Sequence, residues 1–208
     1  DQFSWIARSV GDVDGDGVSD LVTSAPTYGA TSPTASRGRV YVYSGLTGAL
    51  LWKVTGAEGE SLGLGLEGAG DVNRDGVGDV IAGAPGGNRA YVYSGRDGSV
   101  LHTLAGTTAT EGFGRSAASA GDQNGDGYAD VIVGAPSSTV RGAASGRAYV
   151  FSGRDGTLMR ILNGAKAGDA FGSIVAGDKR GKRTRLVVGA SGAGPSREYH
   201  ALRLIAAR

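Results

Sequence analysis

A chain of 208 residues and 20.8 kDa, 40% apolar, is long enough to build one sizeable core. No apolar run approaches the ~18 residues of a membrane helix, and no charged-then-apolar leader opens the chain, so a soluble protein without membrane insertion is expected, already processed if exported. The lack of Cys excludes disulfides and thiolate metal sites, and a net charge of +1 carries no signal for nucleic acid.

Glycine, 39 of 208 residues against a usual ~7%, comes in recurring blocks. One phrase occurs four times: VGDVDGDGVSDLVTSAP at 10–26, AGDVNRDGVGDVIAGAP at 69–85, AGDQNGDGYADVIVGAP at 120–136 and a worn copy, AGDKRGKRTRLVVGAS, at 176–191. A second phrase follows each, namely GRVYVYSGLTG from Gly38, NRAYVYSGRDG from Asn88, GRAYVFSGRDG from Gly146 and the divergent SREYHALRLIAAR from Ser196. The repeats therefore run approximately 3–61, 62–112, 113–170 and 171–208.

Within a repeat the alternation of Val40 and Val42 with Tyr41 and Tyr43 has the period of a half-buried strand. In the third copy this predicts strand A near Ser116–Gly121, B near Asp130–Ala135, C near Arg147–Ser152 and D near Thr157–Leu162. Asp155-Gly156, like Asp97-Gly98 before it, marks a tight C–D hairpin, and the Pro after each strand B ends a ladder to which it cannot donate. Four antiparallel strands per unit describe a blade, so the fold class is all-β: a single β-propeller domain over 1–208 with four repeats, the last one incomplete. The small residues of strand A suit the crowded innermost position.

The A–B loop carries the chemistry. Asp12, Asp14, Asp16 and Asp20 place oxygen side chains at loop positions 1, 3, 5 and 9, with Gly17 at position 6, where the chain turns sharply. Asp71, Asn73, Asp75 and Asp79 repeat the pattern, as do Asp122, Asn124, Asp126 and Asp130, and the carbonyls of Val18, Val77 and Tyr128 fall at position 7. Oxygen donors alone, three or four of them anionic, favour Ca²⁺. The three loops hold ten of the 20 acidic residues, and such crowding opposes folding unless a cation relieves it. The fourth copy offers Asp178, Arg180, Lys182 and Leu186 at those positions amid Lys179, Arg183 and Arg185, so three calcium sites are expected and the fourth loop is expected to hold none.

Phe113-Gly114 before strand A, the Asp-x-Asn-x-Asp-Gly-x-x-Asp loop and Gly134-Ala135-Pro136 after strand B resemble the FG-GAP repeat of integrin α-subunit propellers and related secreted proteins. The other copies read Phe3-Ser4 with Ser24-Ala25-Pro26, Leu62-Gly63 with Gly83-Ala84-Pro85, and Phe171-Gly172 with Gly189-Ala190-Ser191. The resemblance implies Ca²⁺ on the lower face of an extracellular, secreted or cell-surface propeller, with the B–C and D–A loops of the upper face engaging a protein or glycan.

Three enzyme-like motifs fail on context. Gly59-Glu60-Ser61-Leu62-Gly63 matches a nucleophile elbow, but a strand follows it where a helix is required. His102 and His200 have no neighbouring acid to orient them. Gly63 to Gly68 spells G-x-G-x-x-G without the helix that would hold a phosphate, and Gly181-Lys182 lacks the upstream glycine of a P-loop. No catalytic residue is assigned. Trp5, Trp52 and the strand-C tyrosines are read as packing between blades. The long B–C loops, Thr27–Arg37 and Ser137–Gly146, supply the candidate partner contacts Tyr28, Arg37 and Arg141.

The leading reading is a calcium-stabilised, non-catalytic adhesion module; the alternatives are the accessory propeller of a larger secreted enzyme, or a lectin. Fifteen strands leave the fourth blade short, with no spare strand at either end. Closure of blade four on blade one into a four-bladed ring is expected, and completion by a second copy or by neighbouring blades is the alternative.

Overall fold

Runs of five or six residues with every second side chain apolar, separated by glycine-rich turns, have no face wide enough for a helix and pair instead as short antiparallel strands. The computed structural model describes residues 2–30, 35–180 and 183–192. Its strands β1 (Ala7–Gly11), β2 (Asp20–Ala25), β3 (Arg39–Tyr43) and β4 (Leu50–Thr55) form one four-stranded sheet. A second contains β5 (Leu66–Gly70), β6 (Asp79–Ala84), β7 (Arg89–Tyr93) and β8 (Val100–Ala105), and a third β9 (Ser116–Gly121), β10 (Asp130–Ala135), β11 (Arg147–Phe151) and β12 (Leu158–Asn163). Strands β13 (Phe171–Arg180) and β14 (Arg183–Ala190) make a fourth, two-stranded sheet. Each sheet is a meander in chain order, so the propeller-blade reading holds. The strand expected after Ser196 lies outside the described residues.

Three apolar clusters hold the blades together, and each draws on two successive sheets. Val40, Trp52 and Leu62 meet Val80 and Tyr93 between blades one and two. Ile81, Val92 and Phe113 meet Val133 and Tyr149 between two and three, and Ile132 and Leu162 meet Phe171 and Leu186 between three and four. No blade has a core of its own, so burial couples the repeats into one body.

The signature glycines lie at these interfaces. Gly63, Gly114 and Gly172 have φ values of +91°, +93° and +88°, a region that disfavours any side chain. A Cβ on Gly134 would overlap the Gly172 carbonyl oxygen, and one on Gly83 the Gly114 carbonyl oxygen. Blade one has Ser24 at the equivalent place, facing Gly63.

The innermost strands β1, β5, β9 and β13 succeed one another around a groove of about 830 Å³, lined by Ser9, Glu67, Asp71, Ser119, Asp122 and Thr184. Closure into the expected four-bladed ring would set β13 against β1, and among the described residues those two strands do not pack to the extent that joins β1 to β5, β5 to β9 and β9 to β13. Ile174 at one end and Phe3 and Trp5 at the other keep 65%, 56% and 53% of their surface in solvent, which closure would bury. The same glycine-to-backbone contact recurs between blades two and three and between blades three and four. Trp5 is thus an exposed side chain, whereas Trp52 is the interblade packing residue expected.

Candidate functional site

Each A–B loop of blades one to three folds around its own carboxylates. At position 1, Asp12 accepts the N–H groups of Gly15, Asp16 and Gly17 at 2.7, 3.1 and 2.8 Å. Asp122 repeats the set with Gly125, Asp126 and Gly127, and Asp71 takes those of Asp75 and Gly76. The position-3 oxygens of Asp14, Asn73 and Asn124 each accept the position-5 N–H, and Asp16, Asp75 and Asp126 accept those of Val18, Val77 and Tyr128. Gly17, Gly76 and Gly127, at φ of +89°, +85° and +86°, make the bend that sequence spacing assigned to position 6.

Position 9 ties the loop to the blade. Asp20, Asp79 and Asp130 are completely buried. One oxygen of each accepts the position-2 N–H of Val13, Val72 or Gln123, at 2.7 to 2.8 Å, and the other accepts the N–H of Gly45, Gly95 or Gly153 in the C–D turn, at 2.8 to 3.0 Å. Burial pushes the Asp79 carboxyl up to about 6, against the pull of the Gly95 and Val72 N–H groups and with the charges of Asp75 and Asp71 adding to the rise. Asp130 is raised for the same reason. In the first loop the carboxylate oxygens of Asp12, Asp14 and Asp20 lie within 4.8 Å of one another. Loops two and three have asparagine at position 3, so that carboxylate triad forms in loop one alone among the described residues. An all-oxygen, anionic donor set of this kind fits a hard divalent cation.

Residues 6–43 and 113–151 match the FG-GAP repeat family. Those two segments are FG-GAP repeats. It is 33% identical to Integrin alpha-6 of Gallus gallus over 145 residues, 64% of this chain and 13% of that protein. Integrin alpha-2 of Bos taurus is 33% identical over 143 residues, and Integrin alpha-11 of Homo sapiens 36% over 141, each alignment covering 60% of this chain. The chain spans 12% to 13% of the length of these relatives.

The fourth copy departs further from the pattern than its residue substitutions indicate. Its strands run straight through the loop position, pairing Asp178 with Arg185, Lys179 with Thr184 and Arg180 with Arg183. Leu186, aligned with position 9, is a fully buried core residue of β14. Among the described residues a ladder stands where the other copies have a loop.

The opposite end of the blades holds a second recurring arrangement that sequence reading missed. Glu60, Glu111 and Asp169, each two residues before the Leu or Phe of the signature, are 5%, 1% and 8% exposed. Their carboxylates cap the D–A turns by accepting the N–H of Ala57, Thr108 and Lys166. The Tyr91 and Tyr149 hydroxyls donate to Glu60 and Glu111 at 2.7 Å, and Arg89 and Arg147 approach the same carboxylates at 3.5 and 4.0 Å. The legible signal was an acid at constant spacing before each strand A, paired with Arg-x-Tyr on strand C.

The candidate contacts lie at this end without forming one cluster. Tyr28 is half-buried, with the Arg39 guanidinium 3.5 Å from its ring centre. Arg37 and Arg141 are exposed, and their N–H groups bond to the Tyr28 carbonyl and the Ser145 hydroxyl. Ser61 sits at φ +52° with its hydroxyl 3.5 Å from that of Ser36, and His102 directs Nε2 at the Gly153 carbonyl. Both therefore serve packing between loops and blades.

Proposed function

We propose that this chain is a calcium-stabilised, non-catalytic interaction module of adhesion type on an extracellular or cell-surface protein. Three cations sit in the loops that begin at Asp12, Asp71 and Asp122, each held by the side chains at positions 1, 3, 5 and 9 and the position-7 carbonyl. The observation that carries the reading is the threefold recurrence of one oxygen-lined loop in one register, tied each time to a fully buried aspartate. Similarity to integrin alpha chains supports an adhesion role. Calcium is a folding ligand here: it relieves repulsion among carboxylates and, by binding the folded state, raises stability by mass action.

Excess chelator is expected to lower the melting temperature, and added calcium to restore it with an apparent dissociation constant of about 10⁻⁴ to 10⁻³ M, the range of extracellular modules. Asp126→Ala removes one bound ion, whereas Asp178→Ala leaves the number unchanged. A melting curve indifferent to chelator overturns the reading. The partner, a protein or glycan, docks on the face of the B–C and D–A loops through Tyr28, Arg37 and Arg141. Arrays of matrix proteins and glycans probed with the wild type and with the triple alanine variant test this contact set. Full signal from the variant refutes it.

A further inference from the structure

The three loops share a backbone but differ in how their charge is already balanced. In loop two the residue after Gly95 is Arg96, and its Nε lies 3.6 Å from Asp75 Oδ2. The same oxygen accepts a hydrogen bond from Asn73 Nδ2 at 3.2 Å. In loop three Asn124 Nδ2 donates to Asp126 Oδ2 at 3.0 Å, and the residue after Gly153 is Arg154, 5.9 Å from the centre of the Tyr128 ring. Arg74 reaches across from loop two to within 5.2 Å of that ring. Loop one has neither device. Asp14 replaces the asparagine and has no N–H to donate, Leu46 stands in the arginine position with 62% of its surface exposed, and Asp16 Oδ2 lies 3.4 Å from the Ser44 hydroxyl.

We propose that the loops are a graded set, in which loop one is the tight, cation-demanding site, while Arg96 acts as a tethered counter-cation that weakens calcium binding at loop two and the position-3 asparagines weaken it at loops two and three. The proposal rests on the cation reading above. A guanidinium beside a position-5 carboxylate lowers the apparent affinity twice over, because it stabilises the ion-free loop and repels an incoming divalent ion. Position-3 asparagine adds to this by holding the position-5 carboxylate without a metal. Loop one, with four carboxylates and no resident cation, gains most from an ion. Loop one is thus the last site to empty as calcium is withdrawn, and its complete removal costs the first blade more stability than the other two.

Calorimetric titration of the full chain with calcium chloride at low ionic strength tests this, with melting curves to confirm that each variant is folded. The wild type is expected to show two classes of site, one tight and two weaker. Leu46→Arg, a change at an exposed turn position, should weaken the tight class by about two- to fivefold, the scale of an exposed ion pair. Arg96→Leu should tighten one weaker site by a similar factor, and Asn124→Asp, which supplies the fourth carboxylate of loop three, should tighten the other. Three equal sites, or a tight class untouched by Leu46→Arg, overturns the grading and leaves the cation reading standing. A wild type that binds no calcium overturns both.

Discussion

Gly83 on β6 lies so close to Gly114 at the entrance to blade three that a methyl group at position 83 would overlap the Gly114 carbonyl oxygen. The two glycines of the FG and GAP phrases thus belong to different repeats and meet across the interface between blades. Gly83→Ala must push the blades apart, at a cost of about 3 kcal/mol. Gly189→Ala is the control, because its new Cβ would meet the nearest atom, Ile174 Cβ, at an ordinary 3.5 Å, and it should change stability by less than about 1 kcal/mol. Denaturant titration of both variants measures the difference.

Trp52 joins blades one and two by donating its indole N–H to the Gly95 carbonyl at 2.7 Å while its ring lies against Gly98 and Tyr93. His102 takes the same place between blades two and three, against the Gly153 carbonyl. Trp52→Phe keeps an aromatic ring but strands that carbonyl, so a loss of about 1–3 kcal/mol is expected. Thermal denaturation checks it, and Trp52→Leu should lose more because the ring contact goes as well.

The buried aspartates make the calcium-free protein pH-sensitive. Asp79 titrates near 6 in the folded state against 3.8 ordinarily, so between those values the folded chain holds more protons than the unfolded one. Stability therefore falls as pH rises from about 4 to about 6, by an amount on the order of 1–3 kcal/mol. Asp130 contributes in the same direction. A bound cation favours the ionised form, so saturating calcium should raise the melting temperature more at pH 7 than at pH 5. Asp79→Asn should flatten the profile of the calcium-free protein, and an unchanged profile would refute the assignment.

At the other end of the blades, Glu111 accepts from the Tyr149 hydroxyl at 2.7 Å and the Thr108 hydroxyl at 3.0 Å while only 1% exposed. Glu111→Ala leaves both donors facing a cavity, and a loss of about 2–4 kcal/mol is expected. Glu111→Gln retains an acceptor oxygen and should lose less. Comparing the two by denaturant midpoint separates hydrogen bonding from volume.

What the sequence determined by itself is local and periodic. Loop positions 1, 3, 5, 6 and 9 were legible because spacing along a tight turn is a property of a few consecutive residues, and the strands were legible because Val40 and Val42 alternate with Tyr41 and Tyr43 whatever lies beyond the blade. Arg96 beside Asp75 and Glu111 beneath Tyr149 were not, since each pair is brought together by strands distant in the chain. The fate of the fourth copy was likewise a tertiary matter: with Arg180, Lys182 and Leu186 at positions 3, 5 and 9, no side-chain oxygen at those positions accepts the loop's own N–H groups, and ladder hydrogen bonds between Asp178–Arg180 and Arg183–Arg185 extend the hairpin. The contacts between blades, too, were decided only in three dimensions. Gly83 meets the Gly114 carbonyl and Gly134 the Gly172 carbonyl across interfaces between blades, and those approaches are written nowhere in the order of the residues.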